Sequence, residues 1–213
     1  MNRLAQLISY LAHPLLFPTL SVAVILALNP WHYAHLSNRS KILWVIVTFI
    51  LTFVFPVVWL LMLKSLHLVT SIKLESAKDR IIPYVATATF YLWAWKLFRP
   101  SVNNTQFSDL FISTMLLGAA INVMFCFFIN LFFKISLHTA GMGGLIGLML
   151  VMVNYSAFDI RLYVPLLLCI AGWVGSARLW LGAHRSSEVY SGYVVGFVAQ
   201  FTAFFVIPLV FNL

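Results

Sequence analysis

Apolar residues occupy long continuous runs of this chain, and short polar stretches separate the runs. A helix that crosses a membrane needs about 20 largely apolar residues, because its backbone polar groups must be satisfied within the segment. Seven runs predict spanning helices, of which the first is short unless residues 4–11 extend it. They are residues 15–28, 42–63, 81–98, 110–133, 139–155, 162–181 and 189–211.

The composition places the whole chain in the membrane. Of its 213 residues, 62% are hydrophobic and 8% are charged, whereas a soluble domain carries about 25% charged residues. The sequence therefore predicts an all-α, polytopic transmembrane helical bundle of six or seven spans, with residues 1–213 as a single domain. It excludes a soluble enzyme with one anchor, a disordered chain and a disulfide scaffold. Cys126 and Cys169 lie in apolar runs and are expected in the core or against lipid.

The distribution of charge along the chain limits the classes of partner that the protein is expected to bind. The net charge is +8, but the basic residues are scattered between apolar runs rather than gathered in a soluble domain. The pattern excludes a nucleic-acid-binding domain. It favours contact with the lipid bilayer and with an anionic lipid or phosphate, and it leaves the oligomeric state open.

Ionisable residues concentrate in three connections, residues 65–80, 134–138 and 178–188. Two predicted spans separate each connection from the next, so all three face the same side of the membrane whether or not the first segment spans. Ionisable groups at membrane depth are costly to keep and indicate a functional site. The connections on the opposite side are interpreted as ordinary loops, and they are residues 29–41, 99–109 and 156–161.

The spacing of His184 and Glu188 predicts an imidazole paired with a carboxylate. The two residues are four apart, so on a helix the carboxylate lies beneath the ring and accepts its Nδ1 proton. This partner fixes the tautomer of the ring and leaves Nε2 free to attack a substrate.

Two further features predict an anion beside this pair. Ser136 and His138 stand at the start of a Gly-rich apolar helix, whose free N-terminal NH groups favour a negative charge. Lys73, Arg80 and Arg178 bring positive charge from separate parts of the chain. Three cations, a helix start and two histidines on one side of the membrane indicate a site for a phosphoryl group.

These residues also stand in the order and intervals of a known site. The three segments are Lys73, LESAKD and Arg80; then Ile135, Ser136, Leu137 and His138; then Ala177, Arg178, LWLGA, His184, RSS and Glu188. The pattern resembles K-x6-RP, PSGH and SR-x5-H-x3-D, the motifs of the type 2 phosphatidic acid phosphatases. That family shares its site with vanadium haloperoxidases and bacterial acid phosphatases. The resemblance covers residues 73–188, more than half of the chain.

The resemblance implies a membrane lipid phosphatase that acts through a phosphohistidine, with neither a metal nor a cofactor. His184 is then the nucleophile, Glu188 holds its ring and His138 protonates the leaving alcohol. The residues that bind the phosphoryl oxygens are then Lys73, Arg80, Ser136 and Arg178. The resemblance also implies an extracytoplasmic site in a bacterial inner membrane.

The segments depart from the family pattern at several positions. Ile81 follows Arg80, with Pro83 two places later than the family's Pro; Leu137 replaces Gly, Ala177 replaces Ser and Glu188 replaces Asp. Leu137 has the largest expected effect, because a side chain there alters the pocket. A catalytically inactive relative that binds lipid or acts as a scaffold is therefore an open alternative.

The same residues could also serve a metal site or a transport path. His138, His184 and Glu188 could form a metal site, although three nearby cations would repel a divalent ion. A transporter would need polar residues within its spans, and mid-span polarity is sparse apart from Asn122 and Gln200.

Membrane embedding predicts an amphiphilic phosphate as substrate, and the sequence does not choose among phosphatidic acid, phosphatidylglycerol phosphate, an isoprenyl pyrophosphate and a lipid A phosphate. Lys and Arg number eight on the predicted side of the site and five opposite, which by the positive-inside rule favours the cytoplasm. Without the three predicted phosphate ligands the two counts are equal. Charge alone therefore does not decide the side.

The remaining glycines and histidines have packing or capping interpretations. Gly143 with Gly147, and Gly192 with Gly196, are pairs of small residues that let helices approach closely. Four histidines match no motif and are expected at the membrane interface or as caps: His13, His32, His35 and His67.

Overall fold

The described part of the chain is entirely helical in its regular elements. The computed structural model describes residues 2–69, 77–100, 109–156 and 159–211, without the side chains of residues 77, 78, 155 and 207–211. The α-helices are α1 Asn2–Leu11, α2 Phe17–Leu28, α3 Asn38–Phe49, α4 Phe55–Ser65, α5 Ala77–Phe98, α6 Leu110–Asn130, α7 Leu137–Tyr155, α8 Tyr163–Trp180 and α9 Ser186–Phe211. The predicted all-α bundle is confirmed.

A short break at His13 joins α1 to α2. The backbone of His13 is extended, its ring accepts the NH of Leu15, and a 3₁₀ turn at Pro14–Leu16 leads into α2. Because Pro lacks an NH and fixes φ, it is well placed at the first position of such a turn. The expectation that an unassigned histidine acts as a cap is confirmed for His13.

The α3–α4 rod is continuous but irregular. A π-helical turn at Ile50–Val54 joins the two helices immediately before Pro56. Proline cannot donate to the carbonyl four residues earlier and its ring clashes there, so a wider turn relieves the conflict. The predicted span at residues 42–63 therefore forms one rod, Asn38–Ser65.

Within the described residues, six helical segments are long and apolar enough to cross a membrane, so this is a membrane protein. They are Asn2–Leu28, Asn38–Ser65, Leu110–Asn130, Leu137–Asn154, Tyr163–Trp180 and Ser186–Val206. The first is the doubtful segment of the sequence analysis, extended by α1. The predicted span at residues 110–133 is shorter than expected, since α6 ends at Asn130.

Helix α5 runs antiparallel beside α6 for its whole length. At one end the NH of Asp109 donates to the carbonyl of Phe98, 3.1 Å away. At the other end Arg80 donates to the side chain of Asn130, also at 3.1 Å. With 22 residues and about 1.5 Å of rise per residue, α5 covers the same distance as α6, although its composition is more polar than that of the six segments above.

The end of the bundle remote from the charged connections is closed by aromatic packing. Tyr33, Trp44 and Phe98 are almost fully buried in one apolar cluster with Ile112. Tyr33 donates to Asp109, whose carboxylate also caps α6 by accepting the NH of Ile112 at 2.7 Å. Burial and the neighbouring carboxylate raise the pKa of Tyr33. Tyr33 and Asp109, which belong to two of the predicted ordinary loops, are thus parts of a packed end wall.

Helices α7 and α9 make a close backbone contact through glycine. A Cβ on Gly196 would overlap the backbone carbonyl of Ala140, and one on Gly143 would overlap the carbonyl of Tyr193. A Cβ on Gly192 would lie 2.7 Å from the carbonyl of Ser136. Small residues let two helix backbones touch in this way, so the predicted packing role of the glycine pairs is confirmed.

The glycine contact predicts a strong asymmetry between two Gly→Ala substitutions. Gly196→Ala should lower the stability of the bundle by about 1–3 kcal/mol, the usual cost of overpacking, because the new methyl meets backbone atoms that cannot turn away. Gly172→Ala on α8 is the matched control, since a Cβ there meets nothing within 4 Å. Thermal unfolding in detergent compares the two; equal midpoints would contradict the close α7–α9 contact.

Candidate active site

The ends of several helices surround one cavity of 790 Å³ that contains most of the predicted site residues. Its basic side chains come from all three charged connections and from the break between α1 and α2. The basic residues of the lining are His13, Arg80, Lys134, His138, Arg178 and His184. The structure therefore brings together parts of the chain that the sequence placed on one side of the membrane.

His184 reaches the cavity because α8 stops abruptly before it. Gly182 has a φ of +62°, the left-handed conformation that commonly terminates a helix and that glycine adopts without strain. The NH of Ala183 then donates to the carbonyl of Arg178 at 3.2 Å. The turn carries the chain from α8 to α9 within five residues, with His184 on it.

The predicted pair of His184 and Glu188 is confirmed. Nδ1 of His184 lies 2.7 Å from Oε2 of Glu188, and the two side chains are only 10% and 16% exposed. A carboxylate can only accept a hydrogen bond, so Nδ1 carries the proton. In the neutral ring, Nε2 then holds the lone pair.

The surroundings of His184 favour its neutral form. Burial lowers the pKa of His184, and the charges of Arg178 and Lys134 act in the same direction. The hydrogen bond and the charge of Glu188 oppose this shift without cancelling it. A neutral imidazole is the form with a lone pair for attack.

Two cations of the cavity are held by neutral oxygen atoms rather than by carboxylates. Nζ of Lys134 donates to the carbonyl of Ala183 at 2.9 Å, and Arg178 donates to the hydroxyl of Ser9 at 3.2 Å. A neutral acceptor orients a cation without cancelling its charge. Lys134 and Arg178 therefore keep their positive charge at this end of the cavity, as far as the described residues go, and this charge suits an anion.

His138 lies in the first turn of α7, where the end of α1 contacts that helix. Its Nε2 is 3.1 Å from the backbone carbonyl of Ser9, and its ring centroid is 6.2 Å from that of His13. Sequence reasoning missed both partners, although Ser9 lies four residues after Ala5 on one face of α1, the face that the structure buries.

Of the two predicted cations Arg80 and Lys73, the structure describes only Arg80. Arg80, on the first turn of α5, lines the cavity and donates to Asn130 at the end of α6. Asn130 is a buried polar residue that the sequence analysis did not single out. Lys73, the third predicted cation of the site, lies outside the described residues.

Ser136, a predicted ligand of the phosphoryl oxygens, is not part of the cavity lining. Its side chain is 0% exposed and it is not among the residues that line the cavity. The reason is the close contact with α9: the carbonyl of Ser136 faces Gly192, and its NH donates to the carbonyl of Glu188 at 3.1 Å. Leu137 does line the cavity, as expected for a side chain at that position.

A metal site and a transport path are the two other uses of these residues that the sequence leaves open. Among the residues that the structure describes, no group of three or more His, Cys, Asp or Glu side chains is arranged to hold a metal ion. Asn122 and Gln200 both line the inner part of the cavity. Asn122 donates to the carbonyl of Ala140 at 3.0 Å, so it also fastens α6 to α7.

Comparison with known proteins adds no relative to this description. No protein-family model matches the chain, no curated protein matches it, and no solved structure matches it. The likeness to the type 2 phosphatidic acid phosphatases therefore rests on the residues of the three sequence segments alone.

Proposed function

We propose that the protein is a membrane lipid phosphatase, which hydrolyses a phosphomonoester or pyrophosphate of a lipid through a phosphohistidine. The observation that carries the proposal is the His184–Glu188 pair, which presents the lone pair of Nε2 at a cationic cavity. Phosphoryl transfer depends chiefly on positioning and on stabilising charge. Both are properties that this cavity supplies.

The first step is a displacement at phosphorus. Nε2 of His184 forms a bond to phosphorus while the bond from phosphorus to the leaving oxygen breaks. The ring becomes cationic as it is phosphorylated, and the carboxylate of Glu188 stabilises that charge through Nδ1. Arg178 and Arg80, together with Lys73 as a further predicted ligand, neutralise the phosphoryl oxygens. Water then cleaves the nitrogen–phosphorus bond and releases inorganic phosphate.

The proposed acid is His138, and its contact with Ser9 supports Nδ1 as the nitrogen that acts. A backbone carbonyl has no proton to give, so the contact with Ser9 requires Nε2 of His138 to be the donor. Nδ1 is then the atom that serves the leaving alcohol. It carries a proton only when the ring is cationic, which an arriving phosphate dianion favours by its charge.

The inner lining of the cavity supports an amphiphilic substrate. Beyond the charged end, the cavity is lined by apolar side chains of α2, α4, α6 and α7, among them Phe17, Leu60, Met115 and Leu148. An amphiphile with a phosphate head matches a cavity that is charged at one end and apolar beyond it. Phosphatidic acid, phosphatidylglycerol phosphate, an isoprenyl pyrophosphate and a lipid A phosphate are the proposed substrates, and the family resemblance favours an extracytoplasmic site in a bacterial inner membrane.

A second candidate function is lipid binding without turnover, and a specific observation favours it. Leu137 lines the cavity where the family has glycine, while the hydroxyl of Ser136 is buried outside it. A site altered in this way could hold a lipid phosphate without stabilising the transition state, since binding alone does not accelerate a reaction.

Replacement of the nucleophile separates these functions. His184→Ala should reduce phosphate release from the best lipid phosphate at least about 1,000-fold, because no other group replaces the attacking nitrogen. His35→Ala is the matched control, an exposed histidine beyond α2. Inorganic phosphate is measured with the four proposed lipids in detergent. Lipid binding without release by the wild type would favour the second candidate, and release that survives His184→Ala would contradict the phosphohistidine.

The pH dependence of the rate tests the state of His184. Because its pKa is lowered from the ordinary value of 6.5, the neutral nucleophile persists to lower pH. The acid limb of kcat/KM should therefore have its midpoint below 6.5.

Glu188→Gln extends this test. The carboxylate raises the pKa of His184, so its removal should move the acid limb to still lower pH. The same change should lower the plateau rate at least about 100-fold, because the phosphorylated ring loses its counter-charge. An acid limb that moves upward would contradict the proposed pairing.

A further inference from the structure

Helix α1 is fastened to the site at the end of the cavity, and the proposed reaction leaves this contact unexplained. Ala5 and Ser9 form its buried face, which packs on α8. Near its start, the side chain of Asn2 accepts a hydrogen bond from Trp180 at 3.1 Å. Near its end, Ser9 reaches Arg178 and His138. Both contacts on α8 fall in its last turn, so α1 lies against the end of α8 that borders the cavity.

Ser9 uses two different atoms for two different helices. Its hydroxyl accepts from a terminal nitrogen of Arg178 on α8 at 3.2 Å. Its backbone carbonyl accepts from Nε2 of His138 on α7 at 3.1 Å. Ser9 itself is only 8% exposed, so water does not readily replace either contact. One residue therefore fixes the orientation of a cation and of an imidazole that border the same cavity.

The guanidinium of Arg178 depends heavily on this contact. Its Nε is buried without a hydrogen-bond partner in the part of the chain that the structure describes. A buried donor of this kind is costly unless a ligand supplies the acceptor. Ser9 holds one terminal nitrogen of Arg178. The remaining N–H donors of the planar guanidinium are thereby oriented to bind an incoming anion.

We propose that Ser9 is a positioning residue of the site, which holds Arg178 through its hydroxyl and His138 through its carbonyl for a phosphate-bearing ligand. The inference rests on the proposed function for the identity of that ligand, and it adds the N-terminal helix to the machinery. Ser9 lies outside the three segments that carry the family resemblance. It acts through Arg178 and His138 and does not itself touch the reacting atoms.

Ser9→Ala tests the hydroxyl, because the backbone carbonyl remains. The dissociation constant of orthovanadate and the KM for the lipid phosphate should each rise about tenfold, the effect of one lost hydrogen bond to a charged group. The value of kcat should stay unchanged, since His138 keeps its acceptor. The midpoint of the acid limb of kcat/KM should stay unchanged as well. Ser9→Thr keeps a hydroxyl and should restore the affinity, whereas Gln6→Ala, at an exposed position of the same helix, should resemble the wild type.

Ala5→Leu tests the helix as a whole. Ala5 is 7% exposed in the contact with α8, so a larger side chain should lift α1 and break both contacts of Ser9. We expect kcat to fall in addition to the rise in KM, because His138 then loses its orientation. Gln6→Leu places the same side chain on the exposed face and is the matched control.

The outcomes separate this inference from the proposed function. If the wild type releases phosphate and Ser9→Ala binds orthovanadate as tightly as the wild type, or more tightly, the positioning role is overturned alone. If orthovanadate binding weakens as expected but no lipid phosphate is hydrolysed, the proposed function fails and the positioning role stands. A wild type that neither binds orthovanadate nor releases phosphate overturns both.

Discussion

The direct backbone contact between α7 and α9 is the constraint on which the rest of the site depends. Gly143, Gly192 and Gly196 have no Cβ, and carbonyls of the opposite helix occupy the space where one would lie. Within a membrane, helices gain little from the hydrophobic effect against each other, so such close van der Waals packing is a main source of their association. The contact holds the start of α7 against the start of α9, as the bond from Ser136 to the carbonyl of Glu188 shows.

That contact also explains why the two predicted site segments meet in an unexpected way. The start of α7 approaches α9 so closely that the side chain of Ser136 is enclosed between them. His138 and Leu137 instead present themselves to the cavity. A motif fixes intervals along the chain, but the rotation of a helix about its own axis decides which of its residues line a cavity. Here that rotation is set by glycine positions on α9, outside the motif itself.

The charged end of the cavity is stabilised by neutral hydrogen-bond acceptors. Lys134 and Arg178 donate to a carbonyl and a hydroxyl, which satisfies part of their donor capacity and leaves their net charge in place. The carboxylate of Glu188 is engaged by His184. At the opposite end, an aromatic cluster around Trp44 closes the bundle. The bundle is thus closed by aromatic packing at one end and carries the positive charge of Lys134 and Arg178 at the other.

The sequence by itself determined the helices, their membrane character and the common side of the charged connections, because apolar runs and crossing parity depend only on local hydropathy. It also determined the pairing of His184 with Glu188, since residues four apart meet within one turn. Only the tertiary structure decided that Ser9 reaches His138 and Arg178, which lie 129 and 169 positions away in the chain. It likewise decided that Asn130 receives Arg80 and that Ser136 is enclosed. Contacts of that range depend on the rotation and closeness of packed helices, and these are set by the shapes of several segments together.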